Sequence, residues 1–299
     1  MKKALILVVL LLAVFIGEML MFEDNAQEEK SFVSVTSFPL YEITNKLIGE
    51  KIEVKKLIPF GVETHSYMPS VKSMTTISKA KLFIFNGLGI EPWIKKEYAN
   101  QINMSEFISL NEIDESHDDG HDHGAEGVDP HYWLDIENMI KMTLVLSEKL
   151  GSSFPEHRIM IEKNAQSYSH ELKALQEIYK TRLKRCGRHE IIVNHNAFGY
   201  LAREYGFDVH SVTGLSPDEQ VSAKKMKEIT DLVQEEGIKT VFFESFISPK
   251  VAQTISEETG AQADSLQPLA NITEAEADKG YILLMRENLD KLSVALECK

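Results

Sequence analysis

Residues 156–184 read EHRIMIEKNAQSYSHELKALQEIYKTRLK. Ile159, Ala165, Tyr168, Leu172, Leu175, Ile178 and Leu183 recur at helical intervals among polar residues, and no Gly or Pro interrupts them. At 1.5 Å per residue, about 29 residues would reach about 44 Å. A helix inside a small domain does not need that length, so the stretch predicts a strut. What it joins is decided by the residues on either side.

Both sides alternate between strand and helix. Before the strut, Ser31–Phe38 and Lys51–Ile58 are strand-like. Lys81–Asn86 (KLFIFN) is a short apolar run of the kind a buried strand shows, and Phe107–Leu110 a further short strand. Tyr41–Ile48, Val71–Lys79, Pro92–Ile102 and Leu134–Leu150 carry helical spacing, with Gly151–Pro155 as a break. After the strut come strands at Glu190–Val193, Asp208–Val212, Thr240–Phe243 and, weakly, Ala261–Leu266. Helices are expected at Ala197–Tyr205, Ala223–Glu236, Pro249–Thr259 and Ala275–Glu297, with Gly237 and Gly260 as stop signals. Repeated strand–helix alternation argues for parallel sheets. The expected organisation is α/β: a lobe over 32–150, a linking helix over 155–185 and a similar lobe over 187–299.

Two segments fall outside this pattern. Lys2 and Lys3 precede an apolar run from Ala4 to Ile16, and apolar character resumes at Met19–Phe22. Residues 1–26 therefore read as a secretory signal or an uncleaved N-terminal anchor, which places the protein outside the cytoplasm. No small-x-small cleavage site is clear, and no cysteine follows for lipid attachment. Residues 111–129, NEIDESHDDGHDHGAEGVD, hold eight acids, three histidines and no Lys or Arg. Such a stretch cannot bury a core and reads as a solvated loop.

The 32 Lys and Arg against 46 Asp and Glu give a formal charge of −14, which disfavours nucleic acid as a partner. Two cysteines, Cys186 and Cys298, exclude a disulfide-rich scaffold and a four-cysteine zinc site. His189–Glu190 begins an H-E-x-x-H pattern, but Val193 stands where the second His belongs. Gly87-Leu-Gly89 begins G-x-G-x-x-G, but Pro92 replaces the third Gly. No G-x-S-x-G or Walker loop occurs.

Three histidines stand at loop positions that suit a ligand. His65 lies in GVETHSYMPS beyond a strand, His131 in DPHYWLD before a helix, and His195 in VNHNAFGYLAREYG directly after a strand. Ligands of α/β sheets bind where loops converge at the carboxyl ends of strands. Imidazole suits zinc, and three of them supply most of a tetrahedral shell. His157 and His170 fall on the strut and read as surface residues, while His189 and His210 have no motif support.

With these motifs the chain resembles the metal-binding receptors of bacterial and archaeal ABC importers for zinc and manganese. GVETHSYMPS, DPHYWLD and NHNAFGYLAREYG resemble the three ligand loops. GLSPDEQVSA, FFESFISPKVAQTISEETGA, LQPLANIT and GYILLMRENL resemble the carboxy-terminal lobe. The resemblance covers nearly the whole chain beyond its first segment. It implies two lobes on a rigid backbone helix with the metal in the cleft between them, bound by His65, His131 and His195. It also implies delivery of Zn2+ to a membrane permease with its ATPase, by a monomer that is not an enzyme. Where the family usually closes the shell with a carboxylate, Gln267 stands in place of Asp and Ala270 in place of Glu. The fourth position therefore stays open among Gln267, Glu63, Glu244 and water. His117, His121 and His123 resemble the His-rich insertion of zinc-specific members and would scavenge zinc weakly. The resemblance, together with export, favours a Cys186–Cys298 disulfide. Alternatives stay open at this point: a manganese receptor, which three imidazoles disfavour, a zinc hydrolase, or an adhesin with a structural metal.

Overall fold

A computed structural model describes residues 31–111, 127–217, 219–244 and 250–299. It contains two four-stranded sheets, parallel throughout. The first orders β1 (Phe32–Val35), β2 (Glu53–Lys56), β3 (Leu82–Phe85) and β4 (Gln101–Asn103) as β2-β1-β3-β4. The second orders β5 (Glu190–Val193), β6 (Asp208–Ser211), β7 (Thr240–Phe243) and β8 (Gln262–Ser265) as β6-β5-β7-β8. The two sheets therefore share one winding. Each reverses direction at its centre, between β1 and β3 and between β5 and β7, and a crevice opens there beyond the carboxyl ends of the strands.

The helices of the first lobe are α1 (Phe38–Ile48) and α2 (Val71–Lys79), and α3 (Ile136–Ser153) leads into the strut. Ser70 caps α2 by accepting the Ser73 N–H, and Asp135 caps α3 by accepting the Glu137 N–H. The strut, α4, runs Arg158–Arg182, about 37 Å at 1.5 Å per residue. Its buried residues Ile161, Ala165, Tyr168, Leu172, Leu175 and Tyr179 step by four and three in turn, so one stripe faces inward. That stripe packs mainly on α3, and also on α1 and on α9 (Tyr281–Ala295). The second lobe adds α5 (Gly199–Tyr205), α6 (Ala223–Glu235), α7 (Lys250–Thr259) and the short α8 (Glu274–Ala277). The largest apolar cluster among the described residues runs from Val33 and Ile84 of the first sheet through α3 and α4 to Val193, Phe242 and Leu284 of the second lobe, and a smaller one around Ile192, Val241 and Ile255 lies within the second lobe.

Four sequence expectations are corrected. Pro92–Ile102 is not a helix: Trp93 and Tyr98 fold onto Phe83 in an outer aromatic cluster, and Gln101–Asn103 forms β4. Packing of those large rings outweighs the local helical spacing. Residues 104–107 form a 3-10 turn where a strand was expected at Phe107–Leu110. The helix before the strut continues through Gly151 to Ser153, and Pro155 marks the actual break. Gly280, at φ 78°, separates α8 from α9, which were expected as one helix. Within the strut, Ile159 is 84 % exposed, because the inward stripe starts two residues later at Ile161. Residues 1–26 and the histidines at 117, 121 and 123 lie outside the described residues.

Candidate metal centre

His65, His131 and His195 come from three separate connections and meet at one point. His65 lies in the loop after β2. His131 opens a 3-10 turn (Tyr132–Leu134) ahead of α3. His195 lies two residues beyond β5, at the central crevice of the second sheet. The Nε2 atom of His131 is 3.3 Å from the Nε2 of His65 and 3.3 Å from the Nε2 of His195. The three ring nitrogens, one from each histidine, all lie within 4.8 Å of one another, and among the described residues no carboxylate joins their cluster. A tetrahedral zinc shell with nitrogens at about 2.0–2.1 Å sets neighbouring donors about 3.3–3.4 Å apart. The spacing of the His131 nitrogen from its two neighbours thus fits that ion. Converging imidazole lone pairs repel one another, and a cation between them turns the repulsion into coordination.

Two of the rings are oriented from behind by buried carboxylates. Oδ1 of Asp129 accepts the backbone N–H of His131 and faces its Nδ1, each at 2.9 Å. Oε1 of Glu244 pairs with Nδ1 of His195. A carboxylate at Nδ1 makes that nitrogen the protonated one and leaves the Nε2 lone pair for a metal. The same contacts put Glu244 and Asp129 on the far side of each ring from the cluster. Glu244, one of the candidates for the fourth ligand, thus has its carboxylate behind His195.

In the loop of His65, Oε1 of Glu63 accepts the backbone N–H of His65 at 3.0 Å, and its Oε2 accepts Nδ2 of Asn271 at 2.7 Å. An acid two residues before a histidine and bonded to its N–H therefore occurs twice, in Glu63–Thr64–His65 and in Asp129–Pro130–His131. Sequence reading missed Asp129, although the D-x-H spacing was there to signal it. Gln267 is buried and donates Nε2 to Oε1 of Glu276 at 2.6 Å. Gly199 allows the close approach of Asp129, since a Cβ there would lie 2.8 Å from Oδ2.

Burial, and then the neighbouring imidazoles, hold His65 and His131 well below the usual histidine pKa. Burial draws His195 down too, but the Glu244 carboxylate, with Glu63 and Asp129 beside it, outweighs that and leaves His195 raised. Burial pushes Asp129 up to about 7. His131 and His195 are 0 % and 2 % exposed, and His65 is half-buried, so the cluster opens to solvent on the His65 side. His170 and His189 are exposed. His157 is half-buried on the 3-10 turn that leads into the strut. His210, also half-buried, lies 3.7 Å from Glu190.

The second lobe also reaches across to both histidine loops of the first. Nε1 of Trp133, two residues past His131, donates to the Pro268 carbonyl at 2.7 Å. The Gly61 N–H donates to Ile272 O at 2.9 Å. The segment 267–272 is thereby fastened to the His65 and His131 loops together. Its Leu269 is fully buried at φ 63°, a strained conformation for a leucine.

Residues 33–295 match the family described as "Zinc-uptake complex component A periplasmic", ZnuA. The chain is 34% identical over 288 residues to the high-affinity zinc uptake system protein ZnuA of Bacillus subtilis, covering 92% of this chain and 90% of that protein. It is 32% identical to the zinc-binding lipoprotein AdcA of Streptococcus pneumoniae, of whose length it spans 60%. Among solved structures, the laminin-binding protein Lmb of Streptococcus agalactiae superposes with a TM-score of 0.81 at 28% identity, over 90% of this chain and all of that one. The Zn(II)-bound ZnuA-like domain of Streptococcus pneumoniae AdcA superposes with a TM-score of 0.75 at 30% identity, over 90% and 99%. With its twin parallel sheets and its interlobe histidine cluster, this chain belongs to the ZnuA family of zinc-uptake receptors.

Proposed function

We propose that the protein is an exported zinc receptor that captures Zn2+ with His65, His131 and His195 and hands it to an ABC permease with its ATPase. The observation that carries this reading is the meeting of three Nε2 atoms in the interlobe cleft at zinc-like spacing. Binding is the function, and the chain is not an enzyme. The two carboxylates paired with ring nitrogens among the described residues, Asp129 and Glu244, are held behind the rings rather than facing the cluster. The same three nitrogens favour zinc over manganese, which prefers oxygen donors. Relatives named as lipoproteins and a family described as periplasmic support a place outside the cytoplasm, with residues 1–26 as signal or anchor. No described helix is long and apolar enough to cross a membrane.

We assign the fourth ligand position to water entering beside His65. Glu63 is engaged by His65 and Asn271, Gln267 by Glu276, and Glu244 by the far side of His195. The loop histidines 117, 121 and 123 supply weak capture outside this site, and the protein acts as a monomer. Titration calorimetry tests the assignment. Each of His65→Ala, His131→Ala and His195→Ala should weaken zinc binding strongly, because a first-shell donor is lost. Deletion of 114–126 should leave one tight site. Tight binding retained by the triple-Ala variant would defeat the reading.

A further inference from the structure

Glu244 is 3 % exposed and directly follows β7, at the central crevice of the second sheet. One oxygen pairs with His195 Nδ1, while the other, Oε2, has no hydrogen-bond partner among the described residues. A half-satisfied carboxylate is a costly way to hold a ring, since desolvating its charge is not offset on the open side. A neutral acceptor such as a glutamine oxygen would orient Nδ1–H as well and bury less charge. The retained charge therefore calls for a role of its own.

Asp129 likewise stands behind a ring, with Oδ1 facing Nδ1 of His131 at 2.9 Å, and is 5 % exposed. We propose that Glu244 and Asp129 act together as a buried counter-charge that selects doubly charged ions over singly charged ones at the histidine cluster. This rests on the cluster being the zinc site. Three neutral imidazoles contribute no charge, so the two carboxylates balance the two positive charges of Zn2+. A monovalent ion with a taste for imidazole, Cu+, leaves one buried negative charge uncompensated. Charges left unbalanced in a dry interior are much more costly than the same charges in water. Glu63 and Arg203 also lie within electrostatic reach of the site. Glu63 is half-buried and Arg203 exposed, so solvent screens both more than the two buried acids.

Glu244→Gln keeps an acceptor for Nδ1–H and removes the charge, which separates charge from positioning. Zn2+ and Cu+ dissociation constants are measured anaerobically with competing chelators, at one pH above neutrality, for wild type, Glu244→Gln and Asp129→Asn. Zinc affinity should fall about 10–100-fold in each variant, the range typical of lost outer-shell partners. Cu+ affinity should hold or rise, so the Zn2+/Cu+ preference drops at least about tenfold. Co2+ absorption spectra of the variants should stay tetrahedral, which shows the rings still in place. Equal weakening of both ions would mean that the carboxylates only position the rings, and unchanged zinc affinity would mean that they do not matter. Either result overturns the proposal. Failure of the wild type to bind zinc would instead defeat the receptor reading itself.

Discussion

At the residue scale the three histidines are not equivalent, and their pH behaviour separates them. Zinc needs neutral imidazole and is favoured by ionised Asp129. His65 and His131 are held low by burial and so are neutral before the metal arrives. His195 is raised by Glu244, and Asp129 is raised to about 7. Affinity should therefore climb with pH until those two groups have lost their protons, and fall as the pH drops below about 7. Calorimetry in buffers of different ionisation enthalpy should find about two protons released per zinc near pH 5, where three ordinary histidines would release about three. Gly199→Ala is a second test. Gly199 is the first residue of α5, where replacing a glycine ordinarily changes stability little. Here the added methyl would meet Asp129 Oδ2 at 2.8 Å and shift the group that orients His131. Zinc affinity should fall about tenfold, in line with other losses of outer-shell support, and an unchanged isotherm would contradict that role for Asp129.

At the scale of elements, the strap 267–272 ties the two lobes together. Trp133→Phe keeps an aromatic ring but removes the indole N–H bonded to Pro268 O and part of a buried side chain, leaving that carbonyl without this donor and a small cavity. Stability measured by urea unfolding should drop by about 1–3 kcal/mol. The strut makes the complementary prediction. A helix of 25 residues packed along its length on α3 bends less readily than a loop hinge. Zinc loading should leave the radius of gyration in small-angle scattering nearly unchanged, with release governed by the His65 loop on its solvent-facing side. A large contraction on binding would show a hinge that this packing does not provide.

For the whole molecule, the continuous core explains why residues 32–299 form one unit. The Cys186–Cys298 disulfide closes the far end of it, ahead of β5 and after α9. It spans 112 positions, and chain entropy puts its contribution at up to roughly 4–5 kcal/mol. It sits at the amino ends of the second sheet's strands, whereas His195 and Glu244 lie at the carboxyl ends. Cys186→Ser with Cys298→Ser should therefore lower the melting temperature by several degrees while zinc affinity stays within twofold.

Much of this was legible in the amino-acid order. Strand–helix alternation, the strut and the strands Glu190–Val193 and Thr240–Phe243 follow from periodicity and stop signals carried within a few residues. The histidines at 65, 131 and 195 were legible because they sit just outside such elements. Asp129 behind His131 left a local trace in its D-x-H spacing. Glu244 left none for its place behind His195, because 49 residues separate them and only the β5–β7 pairing brings them together. The same holds for Asn271 and Glu63, 208 residues apart, and for the aromatic rings that unmake the helix expected at Pro92–Ile102. Periodicity and capping act between near neighbours and so appear in the sequence. The partners behind a ligand, the charge they bury and the strap across the cleft are pairings between distant segments, which exist only once both sheets have been packed around the strut.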